Sequence, residues 1–124
     1  MGSGIVFDLV IVGGGPAGAT AAMYASRANL RTLVLDKSLT SGALGVTAKI
    51  ANYPGVREVL TGAQLLKIMW DQAVSFGTEI KPEQVFTVDF SGEVKKVYSS
   101  QGEYAARAVI LCTGAMGRKN RVPG

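Results

Sequence analysis

Three glycines near the start of the chain have the spacing G-x-G-x-x-G, which is typical of loops that bind the phosphates of a dinucleotide. They are Gly13, Gly15 and Gly18, and Pro16 lies between the last two. Such a loop turns sharply, brings bare backbone close to a pyrophosphate and directs the amino end of a helix at its charge. Asp36 follows at roughly the 20-residue distance at which a carboxylate accepts hydrogen bonds from an adenosine ribose. The pattern predicts a dinucleotide site.

The segments around this loop predict a β-α-β unit that would hold the glycines in place. An apolar strand over 7–12 precedes the loop, a helix over 16–28 follows it, and a second strand over 32–35 ends at Asp36. The helix repeats small residues on one face, which allows close packing on a sheet. These small residues are Gly18, Ala22 and Ala25.

The middle of the chain combines a long loop with one further helix. No clear periodicity appears between 37 and 61, and a loop of this length in a compact domain is usually functional. Thr61 is predicted to cap a helix that runs to Phe76 and ends at Gly77. Trp70 lies on the apolar stripe of that helix, so it is predicted to be a core residue.

The last third of the chain is rich in short β-strands. Strands are predicted over 85–90, 94–99 and 104–107, followed by a buried apolar strand over 108–112. The fold class is therefore α/β, a Rossmann-like parallel sheet with helices plus a three-stranded antiparallel meander, in one domain over 1–124. An NAD-binding Rossmann module is the alternative, but it would continue with helical crossovers in place of the meander.

Composition narrows the function classes further. The 124 residues carry a net charge of +4, one cysteine and no histidine. We therefore expect no internal disulfide, no metal site and a reducing, cytoplasmic location, with Cys112 as an inert buried thiol. The basic residues do not alternate with aromatic ones, so we expect no nucleic acid partner. Asp8 and several glycines interrupt the apolar stretch over 5–25, so we expect no membrane span.

Four segments together resemble one family, the low-molecular-weight thioredoxin reductases. The segments are 10–30, 41–56, 60–80 and 108–124, and the second contains Ser41–Val56 in the form SGALGVTAKIANYPGV. The family belongs to the flavoprotein disulfide reductases that have two dinucleotide-binding domains. The resemblance covers nearly the whole chain and implies its FAD-binding, N-terminal part.

The resemblance implies FAD as the cofactor and assigns roles to residues by position. Those implied to contact its pyrophosphate are Gly13, Gly15, Pro16, Ala17 and Gly18. Those implied to lie along the ribose, the adenine, the ribityl chain and the flavin, or to close the site, are Asp36, Lys37, Val85, Gly42, Ala43, Thr47, Asn52, Thr113 and Gly114. Ala43 departs from the glutamine of the family, so one amide that faces the flavin is lost.

The family chain is more than twice as long as this one. Its NADPH domain, its C-x-x-C pair and the C-terminal segment that closes the FAD domain have no counterpart in the 124 residues. We therefore expect an FAD-binding module of a thioredoxin reductase-like oxidoreductase, with no catalytic acid, base or nucleophile of its own. The alternative is a non-catalytic FAD-binding fragment. The expected partners are a second copy of the chain or the remainder of the same protein, and a thioredoxin-like protein for the parent.

Overall fold

The computed structural model describes residues 4–38, 44 and 47–114. The predicted roles of Gly42 and Ala43 lie outside these residues. The helices and strands along the described chain are β1 (Val6–Val12), α1 (Pro16–Arg27), β2 (Thr32–Leu35), α2 (Gly62–Ser75), β3 (Glu79–Lys81), β4 (Val85–Asp89), β5 (Lys95–Ser99) and β6 (Gly102–Leu111). Within this part of the chain, no helix has the length and apolar character that crossing a membrane requires.

All six strands belong to one mixed sheet in the order β3-β2-β1-β6-β5-β4. β1 lies between β2 and β6 and runs parallel to both, and β3 is parallel to β2. The chain therefore leaves β1 toward one side of the sheet and returns on its other side. A reversal of this kind is the switch point at which α/β sheets bind ligands, outside the carboxyl ends of the strands.

Both helices end where the sequence predicts, to within one residue. α1 stops at Arg27, and Asn29 takes the left-handed conformation with φ 67°. Thr61 caps α2: its hydroxyl accepts a hydrogen bond from the Gln64 N–H, and the Gln64 side chain accepts one from the Thr61 N–H. This capping box satisfies two backbone donors that a helix start leaves unpaired.

Two apolar clusters lie on opposite faces of the sheet, as the alternation of Val10 with Ile11 and of Leu33 and Leu35 with Val34 requires. One face packs against the helices through Ile11 and Val34 of the strands, Ala22 of α1 and Ala73 of α2. The other face is covered by the meander. Its buried residues are Phe7, Val10, Leu33, Leu35, Val97 and Ala106, with Val85 and Val88 packed against them. The predicted small face of α1 is confirmed, since Gly18, Ala22 and Ala25 are all buried.

The predicted fold class is confirmed, but the end of the meander differs from the prediction. Residues 104–107 and 108–112 were expected to form two strands, and they form the single strand β6. Its first half pairs antiparallel with β5, and its second half runs parallel to β1. The sequence changes from alternating to continuously apolar where the pairing of β6 passes from β5 to β1, and the strand itself is not interrupted there.

The second half of β6 is also less buried than its apolar sequence predicts. Ile110 is 39% exposed and Leu111 is 58% exposed. Among the described residues, β5 pairs with β6 only as far as Ala106, so the neighbouring strand does not shield these side chains. Cys112, predicted to be buried, is half-buried at the end of the strand.

A buried carboxylate joins the meander to the segment that follows β3. Glu83 is 7% exposed, and its carboxylate accepts hydrogen bonds from the hydroxyls of Ser99, at 2.6 Å, and Tyr104, at 2.7 and 2.8 Å. The Lys81 ammonium group lies 5.1 Å from the centre of the Tyr104 ring. Burial, and then the hydrogen bond to Glu83, raise the pKa of Tyr104 to about 12.

Replacement of Tyr104 by phenylalanine should destabilise the fold. The variant keeps the ring but removes one donor from a buried carboxylate, so we expect the free energy of unfolding to fall by about 1–3 kcal/mol at neutral pH. An ordinary tyrosine ionises near pH 10, and the folded-state pKa is higher. The contribution of Tyr104 is therefore complete below pH 10 and is lost as the pH rises to about 12.

Urea denaturation of the parent chain and Tyr104→Phe at several pH values measures this contribution. The difference between the two proteins should shrink above pH 10 because only the parent has a hydroxyl group at this position that can ionise. Tyr24→Phe is the matched control, since Tyr24 is exposed. A difference that stays constant from neutral pH to pH 12 would contradict the assignment.

Candidate functional site

Three strand ends meet at the carboxyl edge of the sheet. Val12 is in register with Leu35 on one side and with Leu111 on the other. Backbone hydrogen bonds continue past the ends: the Gly13 N–H donates to the Leu35 carbonyl at 2.9 Å, and the Cys112 N–H donates to the Val12 carbonyl at 2.7 Å. The glycine loop, Asp36 and the residues after β6 therefore lie side by side.

Two of the loop glycines are required by close packing. Gly13 has φ 110°, and a Cβ atom there would overlap the Cys112 carbonyl oxygen. A Cβ atom at Gly18 would overlap the carbonyl oxygen of Gly13. The end of β1 can therefore approach both β6 and α1 only because neither position carries a side chain.

Gly15 is different, because no contact with a described residue requires it to lack a side chain. It is the N-cap of α1 with φ −72° and ψ −167°, an extended conformation that any residue adopts. A Cβ atom built at Gly15 meets no atom of residues 4–38, 44 and 47–114 within 4 Å. The backbone at this position is therefore left bare toward open space, as the close approach of a ligand would require.

Within the described part of the chain, no side chain satisfies the backbone at the amino end of α1. Pro16 is its first residue, no described side chain caps it and no acidic residue lies in its first turn. Ala17 is exposed in that turn. In α2 the side chains of Thr61 and Gln64 do satisfy the helix start. The positive end of the α1 dipole and its amide groups are therefore available to an anion.

Asp36 faces the glycine loop from the end of β2. One carboxylate oxygen accepts a hydrogen bond from the Gly14 N–H at 2.7 Å, and the other accepts one from the Ser38 N–H at 3.2 Å. An ionised carboxylate offers about four lone-pair positions, so acceptor capacity remains on the half-buried side chain. The neighbouring Lys37 is exposed. Asp36 can thus orient the loop and still accept hydrogen bonds from a ligand.

For the residues predicted to contact the flavin, the described contacts show less about their position relative to the glycine loop than they do for Asp36. Thr47 lies against the start of α2, where its carbonyl accepts a hydrogen bond from the Gly62 N–H at 2.7 Å. Asn52 is exposed in a segment closed at its base by the antiparallel bridge between Ile50 and Leu60. The described contacts do not join either residue to the glycine loop.

The remaining predicted residues lie at two ends of the site. Thr113 follows β6, and its backbone nitrogen lies near the position that a Gly13 side chain would occupy. Gly114 has φ 74° and is exposed. Val85 is the first residue of β4 and is half-buried against the apolar cluster that contains Phe7 and Val10. The Lys81 carbonyl, shortly before it, accepts hydrogen bonds from the backbone N–H groups of both Glu83 and Asp36.

Two residues near the site make hydrogen bonds that the sequence does not predict. Trp70 is half-buried rather than fully within the core, and its indole N–H donates a hydrogen bond to the Gly14 carbonyl at 2.7 Å. Its place on an apolar helical stripe predicts burial but says nothing about its polar group. Glu83 lies in a loop without a motif, so no sequence signal marked it as a buried carboxylate.

Cys112 has the character of a structural thiol. Burial raises its pKa, so the thiol form is favoured over the reactive thiolate. It packs against the helix-side cluster of the sheet.

The sequence matches the pyridine nucleotide-disulphide oxidoreductase family over residues 7–124. The thioredoxin reductase of Aquifex aeolicus is 49% identical over 120 residues, which is 96% of this chain and 37% of that protein. The chain thus spans little more than a third of the length of this relative.

Solved structures of related proteins have the same fold. The thioredoxin reductase from Gloeobacter violaceus is 54% identical with a TM-score of 0.89, over 92% of this chain and 38% of that one. A ferredoxin-flavin thioredoxin reductase from Clostridium acetobutylicum is 28% identical with a TM-score of 0.81, over 94% of this chain and 40% of that one.

The two kinds of loop glycine should respond differently to alanine. Gly18→Ala should lower the free energy of unfolding by about 1–3 kcal/mol, since its Cβ atom would overlap the Gly13 carbonyl. Gly15→Ala should change stability by no more than about 1 kcal/mol in either direction, since its Cβ atom adds no overlap and the loss of the glycine N-cap offsets the entropy that the unfolded chain loses. Urea denaturation of the ligand-free proteins compares them, and equal destabilisation by both variants would contradict this division.

Proposed function

The chain belongs to the pyridine nucleotide-disulphide oxidoreductase family, and from this we propose that it is the FAD-binding module of a thioredoxin reductase-like oxidoreductase. The observation that carries the proposal is the bare backbone of Gly15, beside the uncapped start of α1 and opposite Asp36. An anionic ligand with a ribose fits this combination of open backbone, helix dipole and carboxylate.

The residues that would hold the pyrophosphate are Gly13, Gly15, Pro16, Ala17 and Gly18. Gly13 and Gly18 shape the loop, while Gly15 and the first turn of α1 would donate amide hydrogens to the phosphate oxygens. Asp36 would accept hydrogen bonds from the adenosine ribose and repel a phosphate at its 2′ position. FAD is therefore favoured over a ligand with a 2′-phosphate, such as NADP.

The more distant contacts follow from the family resemblance. The backbone of Val85 would contact the adenine, and Lys37, just after β2, would lie between Asp36 and that contact. Thr113 and Gly114 would close the site beside Gly13, whose contact with the end of β6 supports this placement. The residues proposed along the ribityl chain and flavin are Gly42, Ala43, Thr47 and Asn52.

FAD supplies the redox chemistry when it is bound, and the chain supplies position and electrostatics. The 124 residues contain one cysteine, so a pair of thiols for disulfide exchange is not within this stretch. For the whole protein we propose electron transfer from a reduced donor through the flavin to a disulfide, with a thioredoxin-like protein as its partner. Pyridine nucleotide is the proposed donor from the family, and the relative from Clostridium acetobutylicum makes ferredoxin the alternative.

The partially exposed end of β6 supports a further expectation about partners. Ile110 and Leu111 leave apolar surface open next to the site. We propose that this surface contacts the remainder of the same protein or a second copy of the chain, because exposed apolar patches on folded proteins mark interaction sites.

The cofactor should be FAD, and its binding should depend on the bare backbone of Gly15. Denaturation of the chain purified from cells without added cofactor, followed by mass spectrometry of the released ligand, identifies the cofactor. In Gly15→Ala, the added Cβ atom would occupy the space of the pyrophosphate, so we expect FAD affinity to fall by about tenfold or more. Recovery of FMN or NAD in place of FAD, or full affinity in Gly15→Ala, would refute the proposal.

Asp36 should contribute to binding as a charged acceptor. In Asp36→Asn an oxygen can still accept the Gly14 N–H, but the negative charge and one acceptor oxygen are lost. We expect FAD affinity to fall by about tenfold, since a hydrogen bond to a charged group contributes about 1.5–3 kcal/mol before solvent competition. Calorimetric titration measures the change, and Asp71→Asn on the exposed face of α2 is the control of equal charge change. If both variants bind FAD equally well, Asp36 has no role in binding.

A further inference from the structure

Both polar backbone atoms of Gly14 are held by side chains from other elements. Its N–H donates to Asp36 at the end of β2, and its carbonyl accepts from the indole Nε1 of Trp70 in α2, each at 2.7 Å. Trp70 is far from the loop in sequence, and the glycine spacing does not predict its contact. Gly14, which lies between Gly13 and Gly15, is therefore held by hydrogen bonds from two different elements.

We propose that Trp70 is a positioning residue that orients the amide of Gly15 toward the bound ligand. The Gly14 carbonyl and the Gly15 N–H belong to one planar peptide group, and the described chain contains no cis peptide bond. In a trans peptide these two groups point in opposite directions. By holding the carbonyl toward α2, Trp70 directs the Gly15 N–H away from α2. That a pyrophosphate receives this N–H rests on the proposed function.

The preceding peptide group is fixed in a matching way. Asp36 holds the Gly14 N–H, and the carbonyl of Gly13, which shares that peptide plane, lies where a Gly18 side chain would otherwise be. The two peptide planes before Gly15 are thus set by separate elements, the first by β2 and α1 and the second by α2. Without the indole donor only the second plane is released.

Trp70 is well suited to hold a fixed position. Its neighbours one helical turn away, Leu66 and Ala73, are 2% and 0% exposed, so this face of α2 is anchored in the fold. The capping box at Thr61 fixes the start of the same helix. A rigid indole on a rigid helix loses little conformational freedom on bonding, whereas a glycine pair without it can rotate the peptide group between them.

The only tryptophan of the chain is Trp70, which allows a sharp experiment. Replacement of tryptophan by its benzothiophene analogue exchanges the indole N–H for sulfur and keeps the shape of the ring. FAD, ADP and adenosine are titrated into the parent chain and the analogue, with calorimetry for the first two ligands and NMR for the weaker adenosine. Trp70→Phe serves as a second variant, and Tyr24→Phe is the control for loss of a polar group from an exposed ring.

We expect FAD and ADP to bind the analogue about 3- to 10-fold more weakly, because the released peptide group then holds the Gly15 N–H in the binding orientation for only part of the time. Both ligands should weaken by the same factor because they share the pyrophosphate, while adenosine affinity stays unchanged. Trp70→Phe should reproduce the loss, and Tyr24→Phe should not. In the ligand-free analogue, the amide resonance of Gly15 should also shift.

The contrary outcomes are distinguishable. Unchanged FAD and ADP affinity in the analogue would overturn the role of Trp70 while leaving the proposed function intact. Loss of adenosine affinity by the same factor would also overturn it, because it would indicate a general packing role. Failure of the parent chain to bind either FAD or ADP would overturn the proposed function itself, and the role of Trp70 with it.

Discussion

The architecture of this site depends on how closely three backbone segments approach one another at the end of β1. Gly13 lies against the carbonyl after β6, and Gly18 of α1 lies against the carbonyl of Gly13. A single methyl group at either position would separate a strand from its neighbour or the helix from the loop. Because these contacts are between backbones, they fix the carboxyl edge of the sheet more firmly than flexible side chains could. Everything proposed for ligand binding is built on that edge.

The two helices that pack on this sheet differ in how the backbone amides at their amino ends are satisfied. α2 satisfies its first amides through Thr61 and Gln64, and it then contributes a rigid side chain, Trp70, to the loop. α1 has Gly15 as its N-cap and Pro16 as its first residue, and no side chain in the described part of the chain caps it. One helix therefore acts as a support, while the other leaves its dipole and amides for an anion. The carboxylate of Asp36 is negatively charged, whereas the amino end of α1 is positive. The position of Asp36 therefore suits a ribose next to a pyrophosphate better than it suits a second phosphate.

Much of this could be predicted from the sequence because the signals are local. The β-α-β unit, the small face of α1 and the cap at Thr61 follow from spacing and residue type over a few positions. The continuity of β6 could not be predicted, since the burial pattern changes where the strand exchanges one neighbour for another. The bonds from Trp70 to Gly14 and from Tyr104 to Glu83 join residues remote in sequence, and no periodicity encodes which polar groups meet across a fold. The predicted contacts with the flavin rest on family resemblance alone.

Amide NMR shows directly whether the bare backbone at Gly15 receives the pyrophosphate of FAD. A titration of the ¹⁵N-labelled chain with FAD reports on each backbone N–H separately. If Gly15 receives the pyrophosphate, the shifts should be saturable and follow one dissociation constant, and they should be largest at Gly14, Gly15, Ala17 and Gly18. Saturable shifts centred on another part of the chain, with these four amides unmoved, would contradict it.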